Sequence, residues 1–213
     1  MREGLDAFNF SAEEKLLIIT AMSQPRPWDY EAISAVKQRI KEFHITFGSK
    51  MCCYCYRMFE GEFSMVIDIE HILPKRHYKS LTFDIRNLSV ACKRCNMKMK
   101  RDNLDFINLP MDASELEAGD KYKIIHPNID PRDQHLIRAA VQVNAIKMVK
   151  YVPVAGSAKG TFAYGYFQLS EFEVNSFDLA QGASQPAKES IVEIREMVNN
   201  IKFPLTEEAG RAA

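Results

Sequence analysis

The chain has 213 residues, 46% of them hydrophobic, enough for one ordinary core and a smaller second module. It contains no run of about 18 apolar residues, which argues against a membrane span. The opening MREGLDAFNF lacks a basic-then-apolar signal region, so the expected location is the cytoplasm. Twenty-eight basic residues balance 28 acidic ones, and a net charge of zero argues neither for nor against nucleic acid. The charge is unevenly spread, however. From His71 to Arg101 there are nine basic residues (Lys75, Arg76, Lys79, Arg86, Lys93, Arg94, Lys98, Lys100 and Arg101) against one acid, Asp84. A local basic region in a neutral chain is what a phosphate-binding site requires.

In chain order, SAEEKLLIITAMS predicts a helix capped by Ser11, with Glu14 completing a capping box; Pro25 and Pro27 end it. DYEAISAVKQRIKEFHITF predicts a second helix with Asp29 as its cap. Ile33, Val36, Ile40, Phe43 and Phe47 share one face of it, and Gly48 is its stop. His44, beside that apolar face, reads as structural. SMVIDIEHI predicts a strand, and NLSVACKRCNMKMK a turn leading into a helix. Beyond about Pro110 the pattern weakens. MDASELEAGDKYK is an acidic, polar connection, 141–152 fits strand and helix equally, and TFAYGYFQL predicts a strand. SQPAKESIVEIREMVNNI predicts a helix capped by Ser184, with Ile191, Ile194, Val198 and Ile201 on one face, before a frayed tail. Three segments are expected: an N-terminal helical one (1–48), a cysteine-containing module (49–110) and a C-terminal extension (111–213).

All five cysteines lie between Met51 and Lys100. Cys52-x-x-Cys55 and Cys92-x-x-Cys95 are two chelating pairs, and thiols stay reduced in the cytoplasm, so metal outranks disulfides. Two such turns complete a tetrahedral, closed and therefore structural Zn²⁺ site. Cys53 is the spare. Metal binding can contribute on the order of 10 kcal/mol to the folding of a module with little core.

Between the pairs lie DIEHILPK and then RNLSVACKRCN. This arrangement resembles the HNH endonucleases, the ββα-metal family. The points of agreement are Cys52 and Cys55, Glu70-His71 with Pro74, Asn87, and Cys92, Cys95, Asn96 and Lys98. The resemblance covers about 50 residues and implies an α+β fold. Its core would be a zinc-stabilised ββα-metal HNH nuclease module, with N-terminal helices and a C-terminal α+β extension around it. It implies that His71 activates water, that Glu70 and Asn96 hold a catalytic metal, and that Asn87 braces the loop and orients His71. Asn96 stands where other members carry His, and Glu70 where Asp is commoner. The residues support these roles independently. Neutral imidazole accepts a proton near pH 7. In a strand Glu70 points away from His71 and can reach a metal. An oxygen-donating Glu plus Asn suits Mg²⁺ or Mn²⁺. Lys75, Arg76, Lys98 and Lys100 are candidate phosphate contacts, and His77 reads as surface.

IIHPNIDPRDQHL places His126, Asp130 and His135 in a candidate second site, although HP and DP pairs more often punctuate loops. This segment, the CCYC knuckle and the EHILPK box resemble the PtuB-type branch of the family, found in Septu and retron-associated antiphage defence. That likeness implies a PtuA-type ATPase partner and, in retrons, a reverse transcriptase with its non-coding RNA/DNA. The implied substrate is nucleic acid, with DNA and RNA both open and no membrane involved. Two other readings stand beside it: a non-catalytic zinc-stabilised nucleic-acid-binding or scaffolding module, and an RNase acting on structured RNA such as tRNA. The retained Glu70, His71 and Asn96 speak against the first, because a bare zinc knuckle needs none of them.

Overall fold

The computed structural model of the protein describes residues 4–143 and 146–175; the expected C-terminal helix and tail lie outside them. The chain divides into two compact units, residues 1–138 with 151–172, and residues 139–150 with 173–213. No helix among the described residues is long and apolar enough to cross a membrane.

In the first unit, α1 (Ala12–Met22) carries the expected capping box between Ser11 and Glu14. α2 (Ser34–Phe47) starts later than expected. The segment before it forms two 3₁₀ turns, Pro27–Asp29 and Glu31–Ile33, and Asp29 lies inside the first of them instead of capping α2. Pro27 fixes φ at the head of that turn, which breaks the run. The strand β1 (Ile67–His71) pairs antiparallel with β2 (Leu88–Cys92) in a register running from Ile67↔Cys92 to His71↔Leu88. The expected turn at NLSVAC is thus a fully buried strand. A run of small and apolar residues without alternation gives no periodic signal when both faces are covered. The turn before it is supplied by the 3₁₀ segment Ile85–Asn87. A seven-residue helix of π type, Arg94–Lys100, follows β2.

Phe8, Ala21, Ile33, Val36, Ile40, Phe83 and Leu88 form one buried cluster, with Ile69 and Trp28 packed at its edge. The N-terminal helices and the hairpin therefore share a core. The segment TFAYGYFQL is helical, not extended. It falls largely in α3 (Ala158–Tyr166), whose N-cap Ser157 accepts a hydrogen bond from the Gly160 N–H. Gly160, Ala163 and Phe167 are buried at i, i+3 and i+7, so packing along a helical stripe overrides the β propensity of the aromatics. A Cβ on Gly160 would lie 1.9 Å from the His135 carbonyl oxygen, so only glycine lets this helix approach.

Strands β3 (Leu136–Val143), β4 (Ile146–Pro153) and β5 (Val174–Asn175) form a sheet in the order β3-β4-β5, so the described residues of 141–152 are strand. In the second unit, β4 pairs antiparallel with β5 through Met148↔Asn175 and Val149↔Val174, and Lys150 bonds Glu173 at 2.7 Å.

His44 is buried at 1% exposure, and burial lowers its pKa to about 4. Its ordinary value is 6.5, so the unfolded chain binds the proton more readily. The stability from keeping His44 neutral is therefore complete above about pH 6.5 and is lost as pH falls towards 4. The loss amounts to about 3 kcal/mol. In denaturant titrations from pH 7.5 to 4.5, His44→Leu should flatten the pH dependence of unfolding by roughly that amount. Parallel curves for the two proteins would contradict this.

Candidate metal and catalytic site

Cys52, Cys55, Cys92 and Cys95 are all buried, with their ligand atoms within 4.8 Å of one another. The Sγ atoms of Cys55 and Cys92 are 3.8 Å apart. A tetrahedron with Zn–S bonds of about 2.3 Å has edges of about 3.8 Å, so the spacing fits such an ion. Four buried thiols cannot all ionise so close together without a cation. Burial raises the Cys52 thiol, but hydrogen bonds from the neighbouring cysteines bring it well below the usual range, while Cys55 and Cys95 are driven up. The Cys92 N–H also points at the Cys52 sulfur, at 3.3 Å. Cys53 is buried outside the cluster, its N–H donating to the Val90 carbonyl.

The cluster joins the first knuckle to the end of β2 and the start of the Arg94–Lys100 helix. Across this hairpin, His71 and Glu70 face opposite ways. His71 is 7% exposed, and its ring meets Trp28 edge-on at 4.5 Å. Its Nε2 lies 3.1 Å from the Thr82 carbonyl oxygen. A carbonyl only accepts, so Nε2 carries the proton and Nδ1 the free lone pair. Burial, then the charge of Lys75, lowers the His71 pKa to about 3, so the ring is neutral at pH 7.

Asn87, expected to brace this loop, is fully buried. Its side-chain oxygen accepts from the Leu73 N–H at 2.8 Å, and its amide donates to the Leu73 and Leu81 carbonyls at 3.0 and 3.2 Å. It ties down the chain on both sides of the Pro74–Lys79 loop without facing the groove.

Two expectations need correction. Lys100, read as a phosphate contact, is 1% exposed, and its Nζ lies 2.7 Å from the Glu70 carboxylate and 2.8 Å from the His71 carbonyl oxygen. Glu70, read as an open metal ligand, is buried in that same pair and also accepts from the Tyr54 hydroxyl at 3.0 Å. Burial raises the Glu70 carboxyl, and the Lys100 charge only partly offsets this. The cause is the π turn. An i→i+5 bond from the Arg101 N–H to the Asn96 carbonyl, 2.8 Å, widens the helix and rotates Lys100 inward.

Asn96, half-buried on the same helix, donates to the Asp68 carboxylate at 3.1 Å, and Lys93 bonds the other oxygen of Asp68 at 2.8 Å. Asp68 was missed by sequence reasoning. Its signal was its position two residues before Glu70, on the same strand face.

A groove of about 780 Å³ runs past His71 and Asn96. Lys75 and Arg76 line it, joined by Lys79 and Arg101, and Pro25 to Asp29 form part of its wall. Lys98 is exposed but does not line it. His77 is on the surface.

The second constellation is structural. His126, Asn128 and Asp130 are buried. The His126 N–H donates to Asp130, whose carboxylate also bonds Lys159 at 2.6 Å. Asn128 donates to the Arg86 and Leu88 carbonyls at 2.8 and 2.9 Å, bracing the start of β2. His135 is half-buried and bonds the Ser157 hydroxyl at 2.8 Å. Among the described residues these side chains form no group able to hold a metal ion.

Two outcomes follow. Lys100→Met, which strands a buried carboxylate, should cost about 3–5 kcal/mol in urea unfolding, and the Lys100→Met/Glu70→Met double variant should recover much of it. A loss below about 1 kcal/mol would mark Lys100 as a surface lysine after all. By elemental analysis, Cys92→Ser should lose metal and Cys53→Ala should keep it; the reverse pattern would overturn the ligand set.

Comparison with known proteins places residues 52–102 on the HNH endonuclease family model. The chain is also similar to the Septu protein PtuB of Bacillus thuringiensis, 27% identical over 137 residues, covering 64% of this chain and 43% of that protein. The chain thus spans less than half the length of this relative. The family match runs two residues past the Arg94–Lys100 helix and contains the whole hairpin, so residues 52–102 match the HNH endonuclease family.

Proposed function

We propose that this chain is a metal-dependent endonuclease that hydrolyses phosphodiester bonds in nucleic acid. The observation that carries the reading is the His71 ring. Its Nε2–H is committed to the Thr82 carbonyl, its Nδ1 keeps an unprotonated lone pair, and it borders a groove lined by Lys75, Arg76, Lys79 and Arg101. Nδ1 takes a proton from water as the oxygen attacks phosphorus, and the P–O bond to the departing sugar oxygen breaks. Lys75 and Arg76, both exposed on the rim, offset the phosphate charge. The Glu70–Lys100 pair holds the His71 carbonyl, and Asn87 holds the loop that follows. Asn96, with Asp68 on the facing side of β1, is where a divalent cation such as Mg²⁺ or Mn²⁺ would be held. When bound, such a cation supplies Lewis-acid charge to the phosphate and the departing oxygen. The four-cysteine cluster takes Zn²⁺ as a structural ion. A non-catalytic zinc module accounts less well for a basic groove centred on a neutral, oriented histidine.

The likeness to a Septu protein supports a role in antiphage defence alongside a PtuA-type ATPase. The retron variant, with a reverse transcriptase and its RNA/DNA product, rests on sequence resemblance alone. The purified chain, with and without such an ATPase, should cleave plasmid DNA or total RNA in Mg²⁺ or Mn²⁺, and the responsive arm identifies the substrate. His71→Ala should lower cleavage by at least about 10²-fold, with zinc content unchanged and unfolding still cooperative although its midpoint falls with loss of the buried ring. Undiminished cleavage by this variant would remove His71 as the base.

A further inference from the structure

We propose that the nucleic-acid path leaves the HNH module beside His71 and continues over α2, where Lys37 and Lys41 take the phosphodiester backbone of the substrate. The ligand class rests on the nuclease reading; the place rests on geometry. A second depression adjoins the groove at His71, and the two share Trp28, Ile69, Lys75, Asn96 and Met97. The wall of this second depression includes Ser34, Lys37, Gln38 and Lys41 of α2. Their spacing of three, four and seven puts them on one face of the helix, away from the buried Val36 and Ile40.

The charge of this face is only partly offset, by Asp68 near Lys41. Among the described residues neither Lys37 nor Lys41 forms a salt bridge. Lys37 Nζ donates to the Trp28 carbonyl at 3.1 Å, and Lys41 Nζ to the Ser64 carbonyl. Carbonyls orient an ammonium without cancelling its charge. The acid in the depression, Asp68, is already bonded to Lys93. Two ammoniums one helical turn apart, continuous with a basic groove at a candidate phosphodiesterase centre, match a repeating phosphate backbone. None of these α2 residues lies within 52–102, so the family match does not reach them.

The test is fluorescence anisotropy on the full chain carrying His71→Ala, which prevents cutting. The probes are a labelled DNA duplex and the RNA of the same sequence, over a salt series. Lys37→Gln/Lys41→Gln should weaken binding and make the log–log salt dependence shallower by about 1.8 for duplex DNA, or about 1.4 for a single strand. Lys37→Arg/Lys41→Arg should restore both. Because Lys37 also holds the Trp28 carbonyl, Lys41→Gln alone serves as the milder variant, expected to show about half the change. Matching unfolding midpoints would show that the fold is kept. An unchanged slope with both probes, or no binding by the parent at low salt, overturns the proposal. The nuclease reading fails differently: a wild-type chain that binds but does not cut sinks that reading and leaves this surface standing.

Discussion

Everything at the candidate site depends on four thiols held within one coordination sphere. Cys52 and Cys55 sit on the first knuckle, and Cys92 and Cys95 bracket the junction of β2 with the Arg94–Lys100 helix. Joining them fixes where that helix begins, and so where Asn96 and Lys100 point. A two-stranded hairpin is marginal by itself. Here its last residue, Cys92, belongs to the four-cysteine cluster, so the strand end, the helix start and the cluster share one anchor.

The hairpin then divides labour between its faces. His71 and Ile69 turn towards the N-terminal core, where Trp28 and the Thr82 carbonyl leave the imidazole one orientation and one tautomer. Asp68 and Glu70 turn towards the helix, where Asn96, Lys93 and Lys100 meet them. The two faces are linked through the backbone. Lys100 bonds both the Glu70 carboxylate and the His71 carbonyl, so the helix on one side constrains the histidine on the other. Burying this pair has a desolvation cost, visible in the raised Glu70 carboxyl, and a unique geometry at His71 is what the cost maintains.

The site is wider than the module that defines the family. The Pro25–Asp29 segment walls the groove, and the core under β1 is filled by α1 and α2. Asn128, far along the chain, secures the first carbonyl of β2. These additions come from residues outside 52–102, whereas the basic groove residues Lys75, Arg76, Lys79 and Arg101 lie inside that range.

The cysteine spacing, the Glu70-His71-x-x-Pro74 box and Asn96 were legible in the sequence because metal chelation and proton transfer demand particular residue types at short range. The capping box at Ser11 and Glu14 was legible for the same reason, since its partners are three residues apart. Other features were decided over distance. β2 carries no alternation because both its faces are buried. α3 overrides its aromatic β propensity because Gly160, Ala163 and Phe167 are buried along one helical stripe. The fates of Glu70 and Lys100 turn on a π turn that rotates one lysine from solvent into the core. His126 and Asp130 are loop braces because the buried backbone groups near them needed partners. Residue types at short spacing name the chemistry open to the chain. Only tertiary packing decided which charges remain free to perform it, because burial, not residue type, sets whether a charge must find a partner inside the protein.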